Sequence, residues 1–234
     1  MEPTINRNEL LNKAVSALVI NYFNALPHST STQDQGESFV HDLLAMYETQ
    51  TDFFEILKKM DALIEAQEKT LALQEILFDF LILNYMSKKT ELEGEDYLDT
   101  QEWMAIEDAT ADRGTEFLNL IVYLSECILD EIEPDLDDYI DEFLMTEDDL
   151  DQDEFAIYET VIKNRELADA PLETLLNIEV EQDEIKDIFL PMMCFFNRVV
   201  SLDEKQSFLR SSKPKNALNM ALFEALQTFV SFGN

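Results

Sequence analysis

Apolar residues recur at spacings of three and four along most of the chain. Leu11, Ala14, Val15, Leu18, Tyr22 and Leu26 form one stripe over 8–26, the signature of an amphipathic helix. Similar spacing predicts helices over 38–48 and 51–68, with a turn-forming loop at 27–36. Residues 71–86, LALQEILFDFLILNYM, are apolar almost all round. A helix without a polar face is buried, which places this one at the centre. The pattern breaks at 88–100, around Gly94. Beyond it the spacing predicts helices over 101–110, 115–132, 135–145, about 147–167, 171–178, 182–200, 201–211 and 215–232. In 115–132 the stripe is Phe117, Leu120, Ile121, Leu124, Cys127 and Ile128. Thr146 and Ser201 each stand three residues before an acid, as in a capping box. Pro191 is expected to kink or break 182–200. In the last helix Leu218, Ala221, Leu222, Ala225, Leu226, Phe229 and Val230 form the stripe. Met220 and Phe223 lie off it and predict a second packed side.

These twelve stretches, several of them short, read as an all-α fold, a compact irregular bundle of about nine or ten helices. The central apolar helices are expected near 71–86 and 182–200. The chain reads as a single domain over 1–234, divisible into a near-neutral lobe, 1–88, and an acidic lobe, 100–234. No fixed-period repeat is present, so a regular solenoid is not expected.

Composition supports the helical reading. The chain is 46% hydrophobic, enough for a core, yet has only 4 Gly and 6 Pro. Turn-rich β folds use those residues heavily. Cys127 and Cys194 lie in apolar contexts without a C-x-x-C spacing, as buried reduced thiols do. The N-terminus lacks the apolar run of a signal peptide. Neither 71–86 nor 188–200 reaches the roughly 20 apolar residues that a bilayer requires. These features predict a cytoplasmic protein without a membrane span.

Charge changes the picture most. The 50 acids outnumber the 16 bases, for a net −34. Residues 91–187 hold 34 of those acids and only 4 bases (Arg113, Lys163, Arg165, Lys186), so nearly all the excess lies in that stretch. Such a surface disfavours direct contact with nucleic-acid phosphates or anionic lipid, which require Lys and Arg. It favours a basic partner. The one late basic cluster, Arg210, Lys213 and Lys215, is a candidate to dock on an acidic surface of this chain or of a second copy.

Several short motifs carry candidate chemistry. Asp137-Asp138-Tyr139-Ile140-Asp141 resembles the aspartate-rich D-D-x-x-D motif of helical isoprenoid synthases. The resemblance implies carboxylates that hold magnesium against a diphosphate. However, Leu136, Tyr139, Ile140, Phe143 and Leu144 form the apolar stripe of that helix, which puts the three acids on the opposite, solvated side. Asp149, Asp151 and Asp153 begin like an EF-hand loop, but positions six and twelve are Glu154 and Thr160 rather than Gly and Glu. His41-Asp42 resembles the pair of all-helical HD-type phosphohydrolases, with His28 as the sole upstream histidine. Glu65 and Glu68 resemble the E-x-x-E of helical nucleotide pyrophosphatases. Glu-x-x-His pairs of di-iron bundles are absent. So are G-x-S-x-G, G-x-x-x-x-G-K and G-x-G-x-x-G. Tyr97 and Trp103 read as core or rim packing, or as an aromatic anchor within an acidic rim.

The sequence therefore predicts a non-catalytic acidic interaction protein, with no cofactor, that binds a basic protein partner through the surface of residues 91–187. The candidate contact residues are Asp135, Asp137, Asp138, Asp141, Glu142, Glu147, Asp148, Asp149, Asp151 and Asp153. Two other classes compete with it. One is an inhibitor that occupies a nucleic-acid-binding protein by imitating DNA. The other is a metal-dependent helical hydrolase or synthase that uses carboxylates.

Overall fold

A computed structural model describes residues 7–26, 32–49, 52–144, 152–212 and 216–231, with the backbone alone described at 32, 33, 49, 90–96, 152–155 and 216. No strand occurs among the described residues. Eleven α-helical segments there, one of them a single turn, are joined by 3-10 and π turns, against the nine or ten helices expected.

The first and last helices hold the fold together. α1 (Arg7–Ala25) packs along α11 (Asn216–Val230), the most extensive helix pair in the structure. Of the stripe expected on α1, Leu11, Ala14, Val15, Leu18 and Tyr22 are buried, and Leu26, just beyond the helix, is half-buried. Met220 and Phe223, off the main stripe of α11, are buried as well. The reason is that α11 is covered on further sides by α6 (Phe117–Leu129), α9 (Phe189–Phe196) and α10 (Leu202–Ser211).

α2 (Thr32–Thr49) lies against α1 and starts inside the stretch expected to be a loop. α3 (Phe53–Glu65) starts at Asp52, whose side chain accepts from the Glu55 amide at 3.0 Å and so satisfies one open N–H of the first turn. A 3-10 segment, Glu68–Leu73, leads into α4 (Gln74–Glu93). Residues 76–85 of α4 are buried without interruption, as a helix apolar on all sides must be. The expected break at 88–100 is instead helical: α4 runs to Glu93 and a 3-10 segment, Gly94–Asp99, carries the chain into α5 (Gln101–Thr110).

Beyond α6, the short α7 (Leu136–Asp138) continues as a π turn, Tyr139–Leu144. α8 (Gln152–Lys163) ends a few residues before the expected limit and gives way to 3-10 segments at Arg165–Asp169 and Leu172–Asn177. The helix expected over 182–200 is confined to α9, with turns at 183–188. Pro191 explains this. A proline is tolerated only in the first turn, where its missing N–H is not needed, and Pro191 is the third residue of α9. α9 is nonetheless central, with Phe189, Met192, Met193, Cys194 and Phe196 buried. The capping box expected at Ser201 is present: Ser201 Oγ accepts from the Glu204 amide while the Glu204 carboxylate accepts from the Ser201 amide. The buried residues form one core cluster that runs from Leu10 to Phe229.

Candidate functional site

The D-D-x-x-D segment is held from below by aromatic residues. Tyr123 Oη accepts from the Asp135 amide and donates to the Asp135 carbonyl, both at 3.0 Å, which pins the start of α7 to α6. Tyr139 sits against Tyr123, Phe143, Phe196 and Tyr158. Its hydroxyl lies 3.2 Å from that of Tyr158, which donates to the Glu116 carboxylate at 2.8 Å. Burial raises the pKa of both phenols, so they stay protonated. With Leu136, Tyr139, Ile140 and Leu144 buried and Phe143 half-buried, Asp137, Asp138, Asp141 and Glu142 are left on the exposed side.

Two arginines partly neutralise that face. Arg165 donates to both oxygens of Asp141 at 2.9 and 3.0 Å and stands 3.7 Å from Asp137. Arg198 bonds Asp135 at 2.7 Å and both oxygens of Asp169, the closer at 2.6 Å. The Arg198 guanidinium holds the Asp169 carboxyl below its usual range. These pairs tie α7 to the Arg165–Asp169 segment and to the end of α9. Of the ten expected contact residues, Asp135, Asp137 and Asp141 are thus engaged within the chain, whereas Asp138 and Glu142 are exposed and make no ion pair with a described residue. Glu147, Asp148, Asp149 and Asp151, together with the Asp153 side chain, lie outside the described residues. So do His28, the Thr146 cap, Lys213, Lys215 and the first part of the EF-hand-like run, whose positions six and twelve, Glu154 and Thr160, fall within α8.

A second acidic element adjoins this face, and the sequence pattern did not single it out. It is the ridge of residues 126–133, where α6 ends. The Ile132 amide bonds the Cys127 carbonyl at 2.8 Å and closes the helix in a Schellman arrangement. Glu131 therefore occupies the position that is usually glycine, at φ 56°. Leu129 and Ile132 are 47% and 52% exposed, unusual for large apolar side chains that follow a buried stripe. Glu126, Asp130, Glu131 and Glu133 are exposed around them and form no ion pair with a described residue. Burial, and then the charge of Asp130, raise the Glu126 pKa, against a smaller opposing effect of Arg7. The sequence carried half of the signal: Leu129 falls off the stripe of its helix, whereas Ile132, four residues after Ile128, continues it by spacing and is exposed because α6 ends at Leu129.

Other carboxylates serve the fold. Asp79, fully buried in α4, accepts from the Thr115 amide at 2.9 Å and hydroxyl at 2.6 Å. Glu75 accepts from the Gly114 amide at 2.8 Å. Arg113 bridges Glu75 and Asp61 at 3.0 and 3.2 Å and lies over the Phe78 ring. Gly114 is required here: its φ is +90°, and a Cβ would stand 2.7 Å from Asp79 Oδ1. Burial, reinforced by the nearby Glu75 and Glu116 charges, outweighs the two Thr115 hydrogen bonds and lifts the Asp79 pKa to about 8.

The remaining candidates are scattered. His41 is exposed and 3.4 Å from Asp42. Glu65 and Glu68 are exposed. Both cysteines are buried free thiols. Trp103 is half-buried and stacked on Tyr85, with the buried Tyr97 at its edge. Among the described residues, no three His, Cys, Asp or Glu side chains are grouped to hold a metal ion, and no helix is long and apolar enough to cross a membrane.

The class that fold and surface define is an all-helical protein with segregated acid. No family model, curated protein or solved structure matches the chain.

Proposed function

We propose that this is a non-catalytic interaction protein that binds a basic protein partner through the acidic surface of residues 91–187. One observation carries the reading: Leu129 and Ile132 stand exposed among Glu126, Asp130, Glu131 and Glu133, which are exposed and make no ion pair with a described residue. Apolar anchors inside a charged rim are the common plan of a protein interface. The apolar pair supplies burial, and the rim selects for Lys and Arg and speeds encounter. Glu131 adds to the argument. A glutamate occupies a left-handed backbone position where glycine would cost less, and such outliers cluster at functional sites. The Asp138–Glu142 face extends the negative field, less strongly than the sequence suggests because Arg165 and Arg198 offset part of it.

The test is capture from native lysate at low salt, elution by a salt step, and reconstitution with each purified candidate. The expected result is a basic protein whose affinity falls steeply with salt. Recovery of no basic protein, or of one whose binding ignores salt, contradicts the reading.

A further inference from the structure

A cavity of about 800 Å³ lies behind the ridge, between the end of α6, the turn at 131–134, the end of α9, and α10 and α11. Its polar groups can be accounted for one by one. Arg198, on its wall, is committed to Asp135 and Asp169. Asn197 is saturated: its amide nitrogen donates to the Leu167 and Ala170 carbonyls, and its oxygen accepts from the Val199 and Val200 amides. Lys205 is different. It is only 9% exposed, yet its ammonium meets a single acceptor, the Phe195 carbonyl at 3.2 Å, and no carboxylate among the described residues. An ammonium has three N–H donors, and burying it without an anion is costly. The neighbouring Cys194 does not supply one, because burial pushes its thiol pKa up to about 12 and keeps it neutral. Gln227, also on the wall, makes no side-chain hydrogen bond to a described residue. The other side is acidic: Glu131 and Glu133 line the cavity and are exposed.

We propose that this cavity binds a ligand that carries a carboxylate beside a cationic group. Lys205 and Gln227 take the carboxylate, and Glu131 and Glu133 take the cation. A simple anion satisfies Lys205 but is repelled by the two glutamates. A simple cation satisfies them and leaves the buried ammonium unmet. A free basic amino acid and the C-terminal residue of a basic chain share the required chemistry. The cavity shares Glu131, Ile132 and Glu133 with the ridge; a chain terminus as occupant rests on the reading of the ridge, whereas a free amino acid needs no protein partner.

The experiment is calorimetric titration of the intact protein with free arginine, with glycyl-glycyl-arginine and with the amide of that tripeptide. At least one of the two free acids binds. Where the acid tripeptide binds, its amide binds at least about tenfold more weakly, a difference of about 1.4 kcal/mol. Affinity for arginine alone marks a small-molecule site, and affinity confined to the tripeptide marks a chain terminus. Lys205→Met, which retains the packed stem, loses at least about tenfold toward the acids and no longer distinguishes acid from amide. Equal binding of acid and amide, unchanged binding by Lys205→Met, or no binding of either acid at about 10 mM overturns the proposal. Should that variant fold poorly, acylation of Lys205 in the wild-type protein, followed by mass spectrometry, decides the point. The acid that binds slows it, and an unchanged rate overturns the assignment.

Discussion

Carboxylates in this protein occupy two opposite environments. Around Gly114, the acids Asp61, Glu75 and Asp79 are buried or half-buried, and each has a defined donor: Arg113, the Gly114 amide or Thr115. On the ridge, Glu126, Asp130, Glu131 and Glu133 have none among the described residues. Unpaired acid at the first place destabilises the fold, since a buried or half-buried charge left without its partner is costly. At the second it costs little because water solvates it, and the fold gains nothing from it. The difference separates acid that the fold uses from acid that it leaves to solvent.

The largest expected effect is at Gly114. Gly114→Ala meets both the left-handed φ and the Asp79 oxygen, and should lower unfolding stability by about 3 kcal/mol in denaturant titration. Arg113→Met leaves Asp61 and Glu75 without their cation. The pair is partly solvated, with 19% of the Arg113 side chain exposed, so the expected loss is about 2 kcal/mol. On the ridge the sign reverses. Glu131→Gly relieves the left-handed strain and should stabilise the protein by about 1 kcal/mol while weakening the partner complex. If it destabilises, the ridge is structural and the comparison fails. Asp79→Asn tests the buried acid through pH. A carboxyl whose folded pKa is raised to about 8 binds its proton more tightly in the native state. Its contribution is present below the usual carboxylate range, is lost as pH rises through about 8, and changes no further above that. Wild-type stability should therefore fall across this window, and the amide variant should show a shallower slope. The smallest effect is expected for Asp138→Asn with Glu142→Gln, within about 0.5 kcal/mol of wild-type stability.

Much of the fold was legible, for identifiable reasons. α1, α5, α10 and α11 have clean stripes or caps, and their observed limits fall close to the expected ones. The 182–200 segment misleads because Ile185 and Ile188 are buried from turns, and apolar spacing does not separate a buried turn from a buried helix. The 3-10 segments after α8 misled in the same way. The solvent-facing side of the D-D-x-x-D helix followed directly from its stripe. Its arginine partners did not, since Arg198 lies 63 residues from Asp135 in the chain. Asp79 and Glu75, set in an otherwise apolar helix, were the trace of the Gly114 turn, and their tertiary donors were invisible in the sequence. Glu131 could not be recognised as strained until the end of α6 was known.

The decisive measurement is the affinity of the basic protein recovered by low-salt capture for three forms of this chain: wild type, Leu129→Ser with Ile132→Ser, and Asp138→Asn with Glu142→Gln. The account predicts a loss of at least about tenfold for the ridge variant and no more than about threefold for the helix-face variant, with wild-type binding weakened as salt screens the rim. Equal binding by wild type and the ridge variant, at unchanged stability, would contradict it.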